Sequence, residues 1–147
     1  MRNTTRIKVL TNKNMSYGEM EFIAAVGRHL AKRYKVGFQP DKFNLVLYAD
    51  RGRITIAYDA KDRPTGLMLS RLYYSTFDGT TRVLMQDLLY ARPGSRAAKA
   101  LLDDFIDFGR HNADHILTAI GEHTCIKPSS LAGMGFKELE TIYRMET

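Results

Sequence analysis

Residues 87–102 decide the fold, and they read Asp87-Leu88-Leu89-Tyr90-Ala91-Arg92-Pro93-Gly94-Ser95-Arg96-Ala97-Ala98-Lys99-Ala100-Leu101-Leu102. An apolar strand runs to Tyr90, small residues at 93–95 break it, and a helix follows. Such a turn leaves backbone N–H groups open, and a helix N-terminus carries a positive partial charge. The stretch therefore predicts a phosphate or pyrophosphate site, with rim cations Arg92, Arg96 and Lys99, although such a turn can also be no more than a helix cap.

The composition is that of one ordinary globular domain. The chain has 147 residues, of which 44% are hydrophobic and 26% charged, and no repeat or linker divides it. Its apolar runs are too short to cross a bilayer, and no signal-peptide core follows the basic N-terminus. The single cysteine, Cys125, excludes an internal disulfide and fits a reducing compartment. We therefore expect one domain over 1–147 in the cytoplasm, or the host cytoplasm if the protein is viral.

The residue patterns on either side of residues 87–102 predict a mixed order of helices and strands. A strand at 6–11 precedes a helix that opens with a capping box of Ser16 and Glu19. A second helix is expected at 40–49, and a meander of three antiparallel strands at 53–90. After the helix that follows Ser95 come a strand at 115–120, a short helix and a last strand at 136–145. The predicted order is β-α-α-β-β-β-α-β-α-β.

This arrangement resembles the GNAT superfamily of acyl-CoA N-acyltransferases, and especially its short, divergent members encoded by bacteriophages. The family signature Gln/Arg-x-x-Gly-x-Gly/Ala falls on residues 93–98, and Leu101 and Leu102 match the paired aliphatic residues after it. Residues 115–120 resemble the fifth strand of the family, and 133–136 its closing Gly-Phe. The resemblance implies an α/β (α+β) fold with a mixed, mostly antiparallel central sheet of 6–7 strands flanked by about four helices.

The resemblance also implies an acetyl-CoA-dependent N-acetyltransferase, with acetyl-CoA as co-substrate and an amine of an unknown protein or small molecule as acceptor. Coenzyme A would lie between the strands at 83–91 and 115–120. The residues implied to bind it are Leu88, Leu89, Arg92, Gly94, Ser95, Arg96, Ala97 and Ala98. Two of the signature positions depart from the family, since Pro93 stands where the family has Gln or Arg, and Arg96 where it has Gly.

Acyl transfer to an amine needs a base for the amine and an acid for the leaving thiolate. Asp87 is the first candidate base and Glu122 the second, although Asp87 is equally suited to pair with an arginine. In many family members a tyrosine supplies the acid, but Leu131 occupies that position here. Ser130 is the substitute acid, with Ser129 and Cys125 as neighbouring alternatives. The histidines and carboxylates do not form a metal-binding pattern, so no metal is expected.

A second hypothesis is a GNAT-fold binding module with impaired catalysis. The net charge of +6 is unevenly placed: residues 1–74, with 14 basic and 6 acidic residues, carry +8, and residues 75–147 carry −2. Such a half can bind an acidic protein or nucleic acid, or simply be a solvated surface. The sequence has no aromatic-basic platform or recognition helix, which disfavours nucleic acid without excluding it. No membrane association is expected, and the protein is expected to be a monomer or homodimer.

Overall fold

A computed structural model of the protein describes residues 4–37, 52–119, 126–139 and 145. Eight elements lie in these ranges. The strands are β1 (Arg6–Leu10), β2 (Gly52–Tyr58), β3 (Pro64–Tyr74), β4 (Arg82–Ala91) and β5 (His115–Leu117). The helices are α1 (Tyr17–Arg33), α2 (Ala97–Asn112) and α3 (Pro128–Gly133). No helix within the described ranges is long and apolar enough to cross a membrane.

The five strands form one sheet in the order β1-β2-β3-β4-β5. Strands β1 to β4 pair with one another antiparallel in chain order, and β5 runs parallel to β4. The meander predicted over 53–90 is therefore confirmed. Alternation of side chains across the strands gives the sheet two apolar faces, as a sheet covered on both sides requires.

Each face of the sheet is covered by one long helix. Helix α1 packs Ile23 and Val26 against one face, which carries the buried residues Leu10, Ile54, Ile56, Leu67 and Leu69. Helix α2 packs Leu101, Leu102 and Phe105 against the other. A Cβ atom at Gly66 would lie 2.6 Å from the Cβ of Ala97, so this glycine lets the first turn of α2 rest on β3. The close approach fixes the N-terminus of α2 beside the end of β4.

The N-terminus of α1 is closed by the predicted capping box. The Ser16 hydroxyl accepts from the Glu19 backbone N–H at 3.1 Å, and the Glu19 carboxylate accepts from the Ser16 N–H at 2.9 Å. The same carboxylate accepts from Lys8 Nζ at 3.1 Å and from the Tyr58 hydroxyl. Burial alone would raise the pKa of Glu19, but these hydrogen bonds outweigh it and lower the pKa to about 2. Burial, and then the bond to Glu19, raises the pKa of Tyr58 above its usual range.

Several sequence predictions need correction. The described residues contain five strands and three helices rather than 6–7 strands and about four helices. The helix expected at 40–49 lies outside the described residues, as do residues 140–144 of the last strand, and residues 136–139 form no regular element. The strand expected at 115–120 ends at Leu117. Strand β4 has an irregularity beyond Met85, and its backbone pairing with β5 stops at Met85 and Leu117.

Two side-chain environments also differ from expectation. Alternation along a strand puts the rings of Tyr73 and Tyr74 on opposite faces and predicts one of them in the core. Both residues are exposed, and they lie beyond the last described pair between β3 and β2, Arg71 with Gly52. The helical spacing of the apolar residues after Ser95 predicts that Asp104 faces water, but this residue of α2 pairs with Arg53 of β2 at 2.9 Å. The guanidinium of Arg53 also lies 4.2 Å from the centre of the Phe108 ring. Long-range packing set both environments.

Candidate functional site

Strands β4 and β5 diverge halfway along β4. Strand β4 pairs with β3 from Arg82 to Ala91, but with β5 only from Val83 to Met85. Beyond Met85, the edge of β4 that faces β5 has no backbone pairing within the described ranges. Because backbone N–H and C=O groups require partners, an open strand edge can hydrogen-bond an extended ligand. We call this part of the sheet, where the described residues show no pairing of β4 with β5 beyond Met85 and Leu117, the opening.

A β-bulge lies where the opening begins. Leu69 pairs with Leu88 and Ser70 with Gln86, which leaves Asp87 as the extra residue of β4. Bulges bend a strand and occur often beside active sites. The Asp87 residue is exposed as a whole although its side chain is only 16% exposed, so its backbone faces the solvent. The periodicity of the sequence contains no sign of this bulge.

The carboxylate of Asp87 is held by Arg71 in two hydrogen bonds. Arg71 Nε lies 2.6 Å from Oδ2, and Arg71 Nη2 lies 2.9 Å from Oδ1. The arginine pairing that the sequence left open is therefore present. A base at this position must accept a proton on lone pairs that Arg71 does not use.

The other acid-base candidates are less constrained. Ser130 is exposed on the short helix α3, and within the described residues no hydrogen bond joins it to Asp87. Leu131 is 8% exposed and packs in the core that α2 covers, so its side chain is part of the apolar interior. Glu122 and Cys125 lie outside the described residues.

Residues 92–96 form a tight loop at the far end of the opening. The Arg92 N–H donates to the Thr65 carbonyl at 2.7 Å, and the Ser95 N–H donates to the Arg92 carbonyl at 3.0 Å. Gly94 has a φ of +78°, a left-handed conformation that favours glycine. The Ser95 hydroxyl donates to the Arg92 carbonyl at 2.6 Å and accepts weakly from the Ala97 N–H at 3.4 Å. The turn predicted at 93–95 is confirmed, and α2 begins just after it.

The loop leaves several backbone donors open. The residue before α2, Arg96, makes no side-chain cap, and the Ala100 N–H donates to the Arg96 carbonyl at 3.2 Å. Within the described part of the chain, the N–H groups of Gly94, Arg96, Ala98 and Lys99 have no hydrogen-bond acceptor. Open N–H groups at a helix N-terminus favour an anion. The predicted site at Gly94–Ala98 thus offers three open donors, while Ser95 and Ala97 use theirs inside the loop.

Cations surround these donors. A cleft of about 360 Å³ separates the loop from the β2–β3 turn. Its lining includes four cations and one carboxylate: Lys61, Arg63, Arg92, Arg96 and Asp59. Asp59 pairs with Arg63 at 2.9 Å, and the first turn of α2 holds no acidic residue. The third predicted rim cation, Lys99, pairs with Asp103 at 2.6 Å on the exposed side of α2.

Lys61 and Arg63 were missed by sequence reasoning. The turn at 59–64 was predicted, and in an antiparallel meander the β2–β3 turn lies at the same end of the sheet as the C-terminus of β4. That topology was the available signal. No group of three or more His, Cys, Asp or Glu side chains in the described ranges is placed to hold a metal ion.

Comparison with solved structures places this architecture. A probable acetyltransferase superposes with a TM-score of 0.73 at 18% identity, covering 97% of each chain. An aminoglycoside N-acetyltransferase in complex with coenzyme A gives 0.72 at 15% identity, covering 100% of this chain and 97% of the other. A ribosomal-protein-alanine N-acetyltransferase from Brucella melitensis biovar Abortus gives 0.70 at 14% identity, covering 98% and 99%. No protein-family model and no curated protein matches the sequence.

The chain has the GNAT fold. The resemblance inferred from residues 87–102 is therefore confirmed at the level of the fold. Identities of this size carry no information about the acceptor, so the chemistry of this GNAT-fold protein has to be argued from its own residues.

Proposed function

We propose that this protein is an acetyl-CoA-dependent N-acetyltransferase. The observation that carries the proposal is the opening between β4 and β5. There the edge of β4, unpaired among the described residues, leads to open N–H groups flanked by cations. A pyrophosphate suits the open donors of Gly94, Arg96 and Ala98, because they combine helix-end partial charge with nearby guanidinium groups. The absence of an acidic residue from the first turn of α2 removes the main repulsion that such a group would meet.

The unpaired edge of β4 suits the remainder of the co-substrate. A pantetheine arm is extended and contains two amide groups, so it can hydrogen-bond a strand edge much as a peptide does. The backbone near Leu88 and Leu89 lies along this edge and is the proposed partner of the thioester carbonyl. The Leu89 side chain is buried towards α2 and the Leu88 side chain packs on the α1 side, so both residues would act through their backbone.

The reaction is the attack of a neutral amine nitrogen on the thioester carbonyl carbon. A C–N bond forms, the C–S bond breaks, one proton leaves the nitrogen and one reaches the thiolate. Asp87 is the proposed base because its bulge lies at the start of the opening, with Glu122 as the second candidate. Ser130 is the proposed acid. The acceptor is an amine of a protein or small molecule, and the protein is proposed to act in the cytoplasm as a monomer or homodimer.

Isothermal titration with acetyl-CoA and with coenzyme A tests the co-substrate, and release of free thiol in the presence of an amine panel tests the transfer. We expect binding of both ligands and amine-dependent thiol release. No binding at millimolar acetyl-CoA would refute the proposal. Asp87→Asn should slow thiol release with little change in acetyl-CoA affinity. Glu138→Gln, which neutralises an exposed carboxylate, is the control and should leave both unchanged.

A binding module with impaired catalysis is the second candidate. Two observations favour it: Arg71 holds both oxygens of Asp87, and Leu131 is buried where a proton donor would be needed. Exposed basic residues on and after α1, namely Arg28, Lys32, Arg33 and Lys35, offer a surface for an acidic protein or nucleic acid. Acetyl-CoA binding without thiol release for any amine, together with loss of partner binding on charge reversal of these four residues, would favour the module.

A further inference from the structure

Gln86 is a buried polar residue at the point where β4 and β5 separate. It is 7% exposed and lies directly before the bulge at Asp87, one residue beyond the last pair between the two strands. A side-chain amide removed from water costs free energy unless it finds hydrogen-bond partners. An apolar side chain could be buried at this position at a lower cost in free energy, so the presence of the Gln86 amide needs an explanation.

The partner of Gln86 is Thr118, the residue that follows β5. The Thr118 hydroxyl donates to Gln86 Oε1. Backbone pairing ends one step earlier, at Met85 and Leu117. The side-chain bond therefore takes the place of the next rung, and it joins the two strands at the closed end of the opening.

The length of a pantetheine arm brings the acyl group to this closed end. Three chain atoms of an extended peptide advance about 3.4 Å, so an arm of roughly thirteen chain atoms spans about 15 Å, or four to five residues of a strand. Counted back from Arg92, where the loop begins, this distance ends at residues 87–88. The acyl carbons that follow the thioester then point towards Gln86 and Thr118.

We propose that Gln86 and Thr118 form a latch that sets the width of the closed end and thereby limits the acyl chain to a short one. This inference rests on the proposed function, since it assigns the acyl-chain specificity of the same site. Both residues act as positioning residues, through the separation of β4 and β5. Loss of the bond lets β5 move away from β4, so a longer chain gains room while acetyl transfer loses some of its alignment.

The test compares acetyl-, propionyl- and butyryl-CoA with the wild type and with Thr118→Val, which removes the hydroxyl at nearly constant volume. A hydrogen bond contributes about 0.5–1.5 kcal/mol, so the propionyl-to-acetyl ratio of kcat/KM should rise about two- to tenfold. Thr118→Ser retains the hydroxyl and should keep the wild-type ratio. Gln86→Leu should raise the ratio as Thr118→Val does, and it serves as the second variant if the first folds poorly.

Thr55→Val is the matched control, because it makes the same change at a buried position of β2. It should leave the acyl-chain ratio unchanged, and melting temperatures separate a general loss of stability from a change in specificity. An unchanged ratio in both Thr118→Val and Gln86→Leu, with the wild type active, would overturn the latch alone. A wild type that binds neither acetyl-CoA nor coenzyme A would instead overturn the proposed function, and the latch with it.

Discussion

The two long helices begin in opposite ways. Helix α1 starts with a complete capping box, and the carboxylate of Glu19 supplies a negative charge within its first turn. Helix α2 starts at Arg96 without a side-chain cap and without an acidic residue in its first turn. Both helices pack on the same sheet, one on each face. The contrast therefore reflects local side chains rather than a different kind of packing.

A helix N-terminus that already faces a carboxylate of its own chain has little tendency to bind a further anion. At α1 the N–H groups of Ser16 and Glu19 have side-chain partners and the Glu19 carboxylate faces the positive helix end, which makes this terminus a structural one. The same groups at α2 lack an internal anion and lie beside Lys61, Arg92 and Arg96. An external anion would complement this positive helix end, which is the physical basis of the proposed pyrophosphate site. Four changes test the contrast, and the largest effect is expected first.

Glu19→Gln removes the internal anion of α1 and should cost on the order of 2–3 kcal/mol of stability at neutral pH. The folded-state pKa of Glu19 is about 2 against an ordinary value of 4.5. A lowered pKa contributes stability that is fully present above the unfolded value and is lost as the pH falls through the folded one. Urea unfolding at a series of pH values should therefore show the stability difference between wild type and variant shrinking between about pH 4.5 and about pH 2.

The control for this change is Glu21→Gln, an exposed position on the same helix. It should leave both the stability and its pH dependence nearly unchanged. Acetyl-CoA affinity should be the same in both variants, because neither residue lies near α2. A tenfold loss of affinity in Glu19→Gln alone would contradict the separation of the two helix ends.

Arg96→Asp gives α2 the anion that it lacks. Acetyl-CoA affinity should fall at least tenfold, since a charge-assisted contact worth about 1.5–3 kcal/mol is lost and a repulsion replaces it. Stability should rise by about 0.3–1 kcal/mol, because the carboxylate interacts favourably with the helix end. Titration calorimetry and thermal unfolding measure the two opposite effects, and Arg96→Gln should lie between the wild type and Arg96→Asp in both.

Gly94→Ala places a residue with a side chain at a backbone φ of +78°. We expect a loss of about 1 kcal/mol in stability and a several-fold loss in acetyl-CoA affinity, because the loop that presents the donors has to change shape. Space is not the cause, since a Cβ atom here would meet nothing within 4 Å. Gly94→Asn, which tolerates this conformation better, should recover part of both losses; equal losses in the two variants would point to a cause other than backbone strain.

Ser16→Ala and Ser95→Ala make the same change near the two helix ends. Ser16→Ala should cost about 1 kcal/mol, because it removes a true cap. Ser95→Ala should cost less, because the bond from the Ala97 N–H is long at 3.4 Å and the Ser95 N–H still closes the turn. Thermal unfolding of the pair gives the difference directly. A larger loss in Ser95→Ala would show that α2 is capped after all.

Local chemistry explains which features of the fold were predictable. The capping box at Ser16 and Glu19, the strand break at 93–95 and the meander over 53–90 were all correctly predicted, because each depends on neighbouring residues. The surroundings of the candidate anion site were predictable only in part. Its donors follow from the turn, whereas the cations Lys61 and Arg63 come from a hairpin about thirty positions earlier.

By itself, the sequence of this protein determined the kinds of elements, most of their order and the position of the loop between β4 and α2. Tertiary structure decided the rest: the bulge at Asp87, its pairing with Arg71, the end of β5 at Leu117 and the bond between Gln86 and Thr118. Each of these depends on the register between strands that are distant in the chain. Propensity and periodicity describe a strand alone, whereas register is set when several strands and both helices pack together.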